Sequence, residues 1–133
     1  MAPKKLLVVD DEVCLTEVVA HALTKAGYEV LTAEDGEEGY ALACRELPDL
    51  VVTDYQMPQL DGLQFSARLK ETATTSEIPV ILLTARGHRV GAADLARTNI
   101  REVMAKPFSS RHLRARIDEI LGGAMMPLPA RVL

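Results

Sequence analysis

Four short runs in this chain each end on a polar or charged residue, and that recurrence limits the fold more than any other feature. Leu6-Leu7-Val8-Val9 closes on Asp10 and Asp11, and Leu50-Val51-Val52-Thr53 closes on Asp54. Val80-Ile81-Leu82-Leu83 closes on Thr84, and a fourth run closes on Lys106 just before Pro107. The first three are continuously apolar rather than alternating, which marks a parallel sheet covered by helices on both faces. In an open α/β sheet, sites form beyond the C-terminal ends of the strands. Three carboxylates, a hydroxyl and an ammonium at that edge point to a divalent metal and to a phosphoryl group on Asp54.

The intervening segments complete five strand–helix units. Strands are expected at about Lys5 to Asp10, Tyr28 to Ala33, Asp49 to Asp54, Pro79 to Thr84 and Ile100 to Ala105. The first helix runs from about Glu12 to Ala26, with Leu15, Val18, Val19, Ala22, Leu23 and Ala26 at helical spacing. Gly27 stops it. Asp35 caps a second helix that ends before Pro48, and Asp61 caps a third carrying Leu63, Phe65 and Leu69. A fourth helix falls somewhere in His88 to Thr98, with a thin apolar stripe and Gly87 and Gly91 lowering its propensity. Ser109 or Ser110 caps the fifth, whose stripe is Leu113, Ile117, Ile120 and Leu121 and which Gly122-Gly123 ends. Five such units with right-handed crossovers give a doubly wound α/β sandwich.

One domain fits 133 residues, here residues 1–123, with 124–133 as a flexible tail or the start of a linker. Hydrophobic content of 48% with 26% charged residues excludes a disordered chain. A net charge of −4 argues against nucleic acid as a direct partner. No apolar stretch approaches the ~18 residues that span a bilayer, and the basic N-terminus is followed too soon by Asp10 for a signal peptide. A cytoplasmic location is the default. Cys14 and Cys44 lack metal-ligand spacing and read as small buried or half-buried residues. His21, His88 and His112 are scattered, and Phe65, Phe108 and Tyr40 read as packing residues.

Taken in order, Val9-Asp10-Asp11-Glu12, Asp54 with Met57-Pro58 and Asp61-Gly62, Thr84-Ala85, and Lys106-Pro107-Phe108 resemble the receiver domain of two-component response regulators. The likeness covers about residues 4 to 121. It implies a flavodoxin-like, five-stranded parallel sheet in the order 2-1-3-4-5, and a histidine kinase or phosphotransfer protein that donates a phosphoryl group to Asp54. A carboxylate needs no base to become a nucleophile at neutral pH. By the same resemblance Mg²⁺ is the cofactor: Asp11 and Asp54 bind it directly, the backbone carbonyl of Gln56 adds a ligand, and Asp10 acts mainly through water. Three adjacent carboxylates would otherwise repel one another. An acidic pair here also suits capping of the first helix, and Glu12 reads as complementing that helix's dipole. Lys106 offers its charge to Asp54 and to phosphoryl oxygens, and the family's Lys–Pro bond is cis. Thr84 donates its hydroxyl to a phosphoryl oxygen, and the small Ala85 leaves room for that group and an attacking water.

One position departs from the pattern. Three residues before the lysine many receivers carry Tyr or Phe, and here stands Val103. Weaker coupling of Thr84 to the helix 4–strand 5–helix 5 face is one expectation; a plain strand valine, with the change travelling through helix 4, is the other. Phosphorylation is expected to switch that face, where a homodimer could also form, and to act on a downstream protein or output domain. The module is not expected to be a metabolic enzyme beyond its own phosphorylation and dephosphorylation. A phosphorylation-independent interaction module on the same fold is the alternative. An aspartate-nucleophile phosphohydrolase would want a second aspartate where Gln56 stands, and flavin binding would set a phosphate against the acidic cluster.

Overall fold

The computed structural model describes residues 3–85 and 90–123. Five strands, β1 (Lys5–Val9), β2 (Glu29–Ala33), β3 (Leu50–Asp54), β4 (Val80–Thr84) and β5 (Ile100–Ala105), form one sheet in the order β2-β1-β3-β4-β5. Every pairing is parallel. The helices are α1 (Val13–Lys25), α2 (Gly36–Glu46), α3 (Gly62–Glu71), α4 (Ala92–Ala96) and α5 (Ser110–Gly123). Strand and helix positions agree with the sequence reading to within a residue or two, apart from α4.

Alternation along the central strands explains why the apolar runs are continuous. Successive side chains leave opposite faces of a strand, so each run feeds two cores. Leu6, Val8, Leu50, Val52, Ile81 and Leu83 pack with Val19 and Leu23 of α1 and Leu113 and Ile117 of α5. Leu7, Val9, Val51 and Val80 pack on the other side with Ala43 of α2 and Phe65 and Leu69 of α3. Phe108 lies against the first core and Tyr40 against the second, both half-buried. Each fully buried Leu or Phe contributes about 1.5–3 kcal/mol, so the two layers fix the sheet on which the site rests.

Local signals set the helix ends. Gly27 takes φ 106° after α1, with Gly27 N–H donating to Thr24 O and Tyr28 N–H to Leu23 O, the paired bonds that satisfy a helix C-terminus. Asp35 accepts from Glu38 N–H, and Asp61 and Gln64 form a reciprocal capping box at α3. Ser109, rather than Ser110, caps α5 by accepting from His112 N–H. The Tyr28 hydroxyl donates to Asp118, tying the entry to β2 to α5.

α4 is five residues long, shorter than its expected interval. Gly87 and His88 lie outside the described residues, as does the expected tail 124–133. The described part, Ala92 to Ala96, carries one large apolar residue, Leu95, which gives it little to bury. Cys14 is exposed, contrary to the buried or half-buried place expected, because α1 turns that position to solvent; Cys44 is half-buried, and both are free. His21 and His112 are exposed.

Candidate functional site

The C-terminal ends of β1, β3, β4 and β5 bring Asp10, Asp54, Thr84 and Lys106 together, with Asp11 and Glu12 on the loop into α1. Asp10 is 2% exposed and its two oxygens do different things. Oδ1 accepts the Glu12 N–H at 2.9 Å, the local capping that an acidic pair before a helix offers. Among the described residues, Oδ2 is buried without a hydrogen-bond partner. Asp54 closes β3, 6% exposed, with Oδ1 2.6 Å from Lys106 Nζ. The Lys106 ammonium also lies 3.6 Å from Asp10 Oδ2 and 3.6 Å from Glu12 Oε1. The Lys106–Pro107 bond is cis.

Backbone bonds hold these groups in register. Lys106 N–H donates to Thr84 O at 2.7 Å, and Tyr55 N–H donates to Leu83 O at 2.8 Å. Asp54 stands opposite Leu83 in the β3–β4 ladder, which sets it beside buried Thr84. Gly62 N–H donates to Tyr55 O and draws the start of α3 against the end of β3. A Cβ on Gly62 would meet Asp54 O at 2.5 Å and Leu82 Cδ1 at 2.6 Å. Only glycine allows this approach, and it was legible in the sequence only as part of the Asp61-Gly62 motif.

Three carboxylates, those of Asp10, Glu12 and Asp54, lie within 4 Å of the Lys106 ammonium, and the proton affinities follow. Burial pushes Asp10 up to about 6, with the charge of Asp54 adding to it, while the Glu12 N–H bond and Lys106 oppose. Asp54 is also raised, first by burial; the Lys106 bond pulls it back, and the charges of Asp11 and Glu12 push it up again. Burial alone would lower Lys106, but the Asp54 bond and the nearby Asp10 and Glu12 charges outweigh it and raise it. Among the described residues, Lys106 is the one cation within 4 Å of these carboxylates.

The residues fit a divalent cation. Asp10, Asp11 and Asp54 each offer an oxygen within 4.8 Å of the others. Asp10 Oδ2 is a buried anionic oxygen with no donor of its own among the described residues, and hard oxygen donors suit Mg²⁺. Gln56 follows β3 with its residue exposed. Glu12 departs from the expected role. It sits at the N-cap of α1 with no side-chain cap bond, and its carboxylate turns toward Lys106. Sequence spacing could not show this, since Lys106 lies far along the chain.

A doubly wound parallel sheet with an acidic trio and a lysine at its C-terminal edge defines a class, and comparison with known proteins gives the family. The response regulator receiver domain model matches residues 6–118, and the chain belongs to that family. It is 37% identical over 121 residues to the phosphate regulon transcriptional regulatory protein PhoB of Pseudomonas aeruginosa, covering 91% of this chain and 53% of that protein. The chain thus spans about half the length of that curated relative. It is 34% identical over 119 residues to a probable chemotaxis protein CheY of Rhizobium etli, covering 89% of this chain and 92% of the relative. Among solved structures, the receiver domain of a sensor histidine kinase from Pseudomonas aeruginosa, with a magnesium ion coordinated in its active site cleft, superposes with a TM-score of 0.81. Their identity is 25%, covering 91% of this chain and 99% of that one. The chain is a receiver domain of two-component response regulators, a signalling module rather than a metabolic enzyme. Among the described residues, no helix is long and apolar enough to cross a membrane.

Proposed function

We propose that Asp54 is the phosphoacceptor of a two-component phosphorelay, within a receiver unit of residues 1–123. The observation that carries the reading is the Asp54–Lys106 pair at 2.6 Å beside a buried Asp10 oxygen that accepts no hydrogen bond from the described residues. A phosphohistidine of a sensor histidine kinase or phosphotransfer protein would be the donor. The Asp54 carboxylate oxygen forms a bond to phosphorus while the P–N bond breaks, and the electron pair leaves with the imidazole nitrogen. Asp10, Asp11, Asp54 and the Gln56 carbonyl would hold Mg²⁺, which when bound supplies neutralisation of the charge on the phosphoryl oxygens. Lys106 moves its ammonium from Asp54 to a phosphoryl oxygen, and Thr84 donates its hydroxyl to another. The same site would return the phosphoryl group to water, with the small Ala85 leaving that approach open.

Phosphorylation would bias a two-state equilibrium through Thr84 toward the α4–β5–α5 face, which would meet a downstream protein, an output domain or a second copy. The donor's nature carries a cytoplasmic location with it. Incubation with acetyl phosphate, reduction with borohydride and peptide mapping tests the assignment. Homoserine at position 54 is the expected product, since borohydride reduces an aspartyl phosphate to that alcohol. Reduction at another carboxylate, or at none, would overturn it.

A further inference from the structure

Glu12 has no place in the expected metal set and makes no cap bond, yet its carboxylate stands 3.6 Å from Lys106 Nζ. Lys106 is already held by Asp54 at 2.6 Å and neighboured by Asp10 at 3.6 Å, so a third carboxylate is not needed to keep the ammonium in place. Exposure separates the three. The Asp10 and Asp54 side chains are 3% and 9% exposed, and that of Glu12 is 67% exposed. With Leu15, Ala85, Pro107 and Phe108, Glu12 also borders a largely apolar concavity that opens beside Lys106. Among the described residues, Glu12 is thus a negative charge on the outer rim of the acceptor site, in a border that is apolar apart from Lys106, whose ammonium is shared among three carboxylates.

Resting on the reading of Asp54 as phosphoacceptor, we propose that Glu12 selects among phosphodonors by the charge they carry on arrival, disfavouring dianionic donors relative to donors that carry a cationic nitrogen. Acetyl phosphate is of the first kind. Its bond from phosphorus to the acetate oxygen breaks as the bond to Asp54 forms, and the electron pair leaves with acetate. Phosphoramidate is of the second kind, with a protonated nitrogen on phosphorus. Its P–N bond breaks, the pair stays on nitrogen, and ammonia leaves. One elementary charge acting through water across several ångström changes an encounter by about threefold at low salt, and less as salt screens it.

The test is the Glu12→Gln protein with Mg²⁺, labelled by each donor over a range of concentrations and read by intact mass. Acetyl phosphate labelling should become about threefold faster at subsaturating donor, with the change in the half-saturating concentration rather than in the maximal rate. Phosphoramidate labelling should change less, and the difference should shrink in high salt. Glu12→Asp should keep the unsubstituted preference. In the metal-free protein, the Lys106 side-chain nitrogen resonance should move in Glu12→Gln, as it would on losing a neighbouring charge. Equal change for both donors, or a donor ratio insensitive to salt, would overturn the proposal alone. No labelling of the unsubstituted protein by either donor would overturn the acceptor reading and this one with it.

Discussion

Asp10→Asn should stabilise the metal-free protein above pH 6, although it removes a residue of the functional site. In the fold Asp10 titrates at about 6 instead of its ordinary 3.8, chiefly because it is buried. A carboxyl whose folded value is raised is penalised for ionising in the fold. The penalty is full above about pH 6, shrinks as pH falls through that value, and vanishes below 3.8. The interval corresponds to about 3 kcal/mol. Asparagine keeps an oxygen for the Glu12 N–H bond at 2.9 Å, so the substitution removes the charge and not that contact. The value of about 6 already includes the attraction to Lys106 at 3.6 Å; part of the gain is taken back because the amide nitrogen that replaces Oδ2 is a buried donor beside an ammonium. A net stabilisation of about 1–3 kcal/mol is expected at about pH 8, falling toward zero at about pH 4. Urea denaturation followed by circular dichroism in EDTA, across that range, measures it. Mg²⁺ should reverse the order, because a ligand that binds only the folded state stabilises it by mass action and Asp10 is part of the site proposed for it. A variant less stable than the parent in EDTA at alkaline pH, or an equal pH slope for both, would contradict a buried, penalised Asp10 charge.

Other expectations test the frame around the site. Gly62→Ala sets a methyl 2.5 Å from the Asp54 carbonyl. It should cost roughly 1–3 kcal/mol in urea denaturation and slow labelling of Asp54, since the end of β3 must shift. Phe65→Ala empties a fully buried position beneath α3 and should cost about 3–5 kcal/mol, with a loss below about 1 kcal/mol contradicting the packing described. A beryllofluoride phosphoryl mimic should move the amide resonances of Thr84 and Lys106 strongly and those across α4 and β5 weakly. Val103 is 36% exposed and has no ring to bury; full shifts across α4 would contradict weak coupling.

Much of the fold was legible because each signal was local and agreed with its neighbours. Continuous apolar runs gave the parallel sheet, and Gly27, Asp35 and Asp61 gave helix ends that short-range hydrogen bonds then fix. The gathering of Asp10, Asp11, Asp54, Thr84 and Lys106 was legible because a doubly wound sheet sends all its strand ends to one edge. What escaped was the part decided by tertiary geometry. The turn of Glu12 toward Lys106 depends on two elements nearly a hundred residues apart in the chain, and the opposite tasks of the two Asp10 oxygens depend on burial. The length of α4 escaped because Ala92, Ala93 and Ala96 favour helix without requiring it, while Gly91 and the scarcity of apolar residues leave packing to decide.

The most direct test of the account is intact mass after incubation with acetyl phosphate and Mg²⁺, with EDTA and with Asp54→Asn as the two comparisons. One phosphoryl group should be gained with Mg²⁺, little in EDTA and none in the variant. A gain that survives in Asp54→Asn would move the acceptor elsewhere. No gain under conditions that label an ordinary receiver would make this chain a phosphorylation-independent interaction module on the same fold.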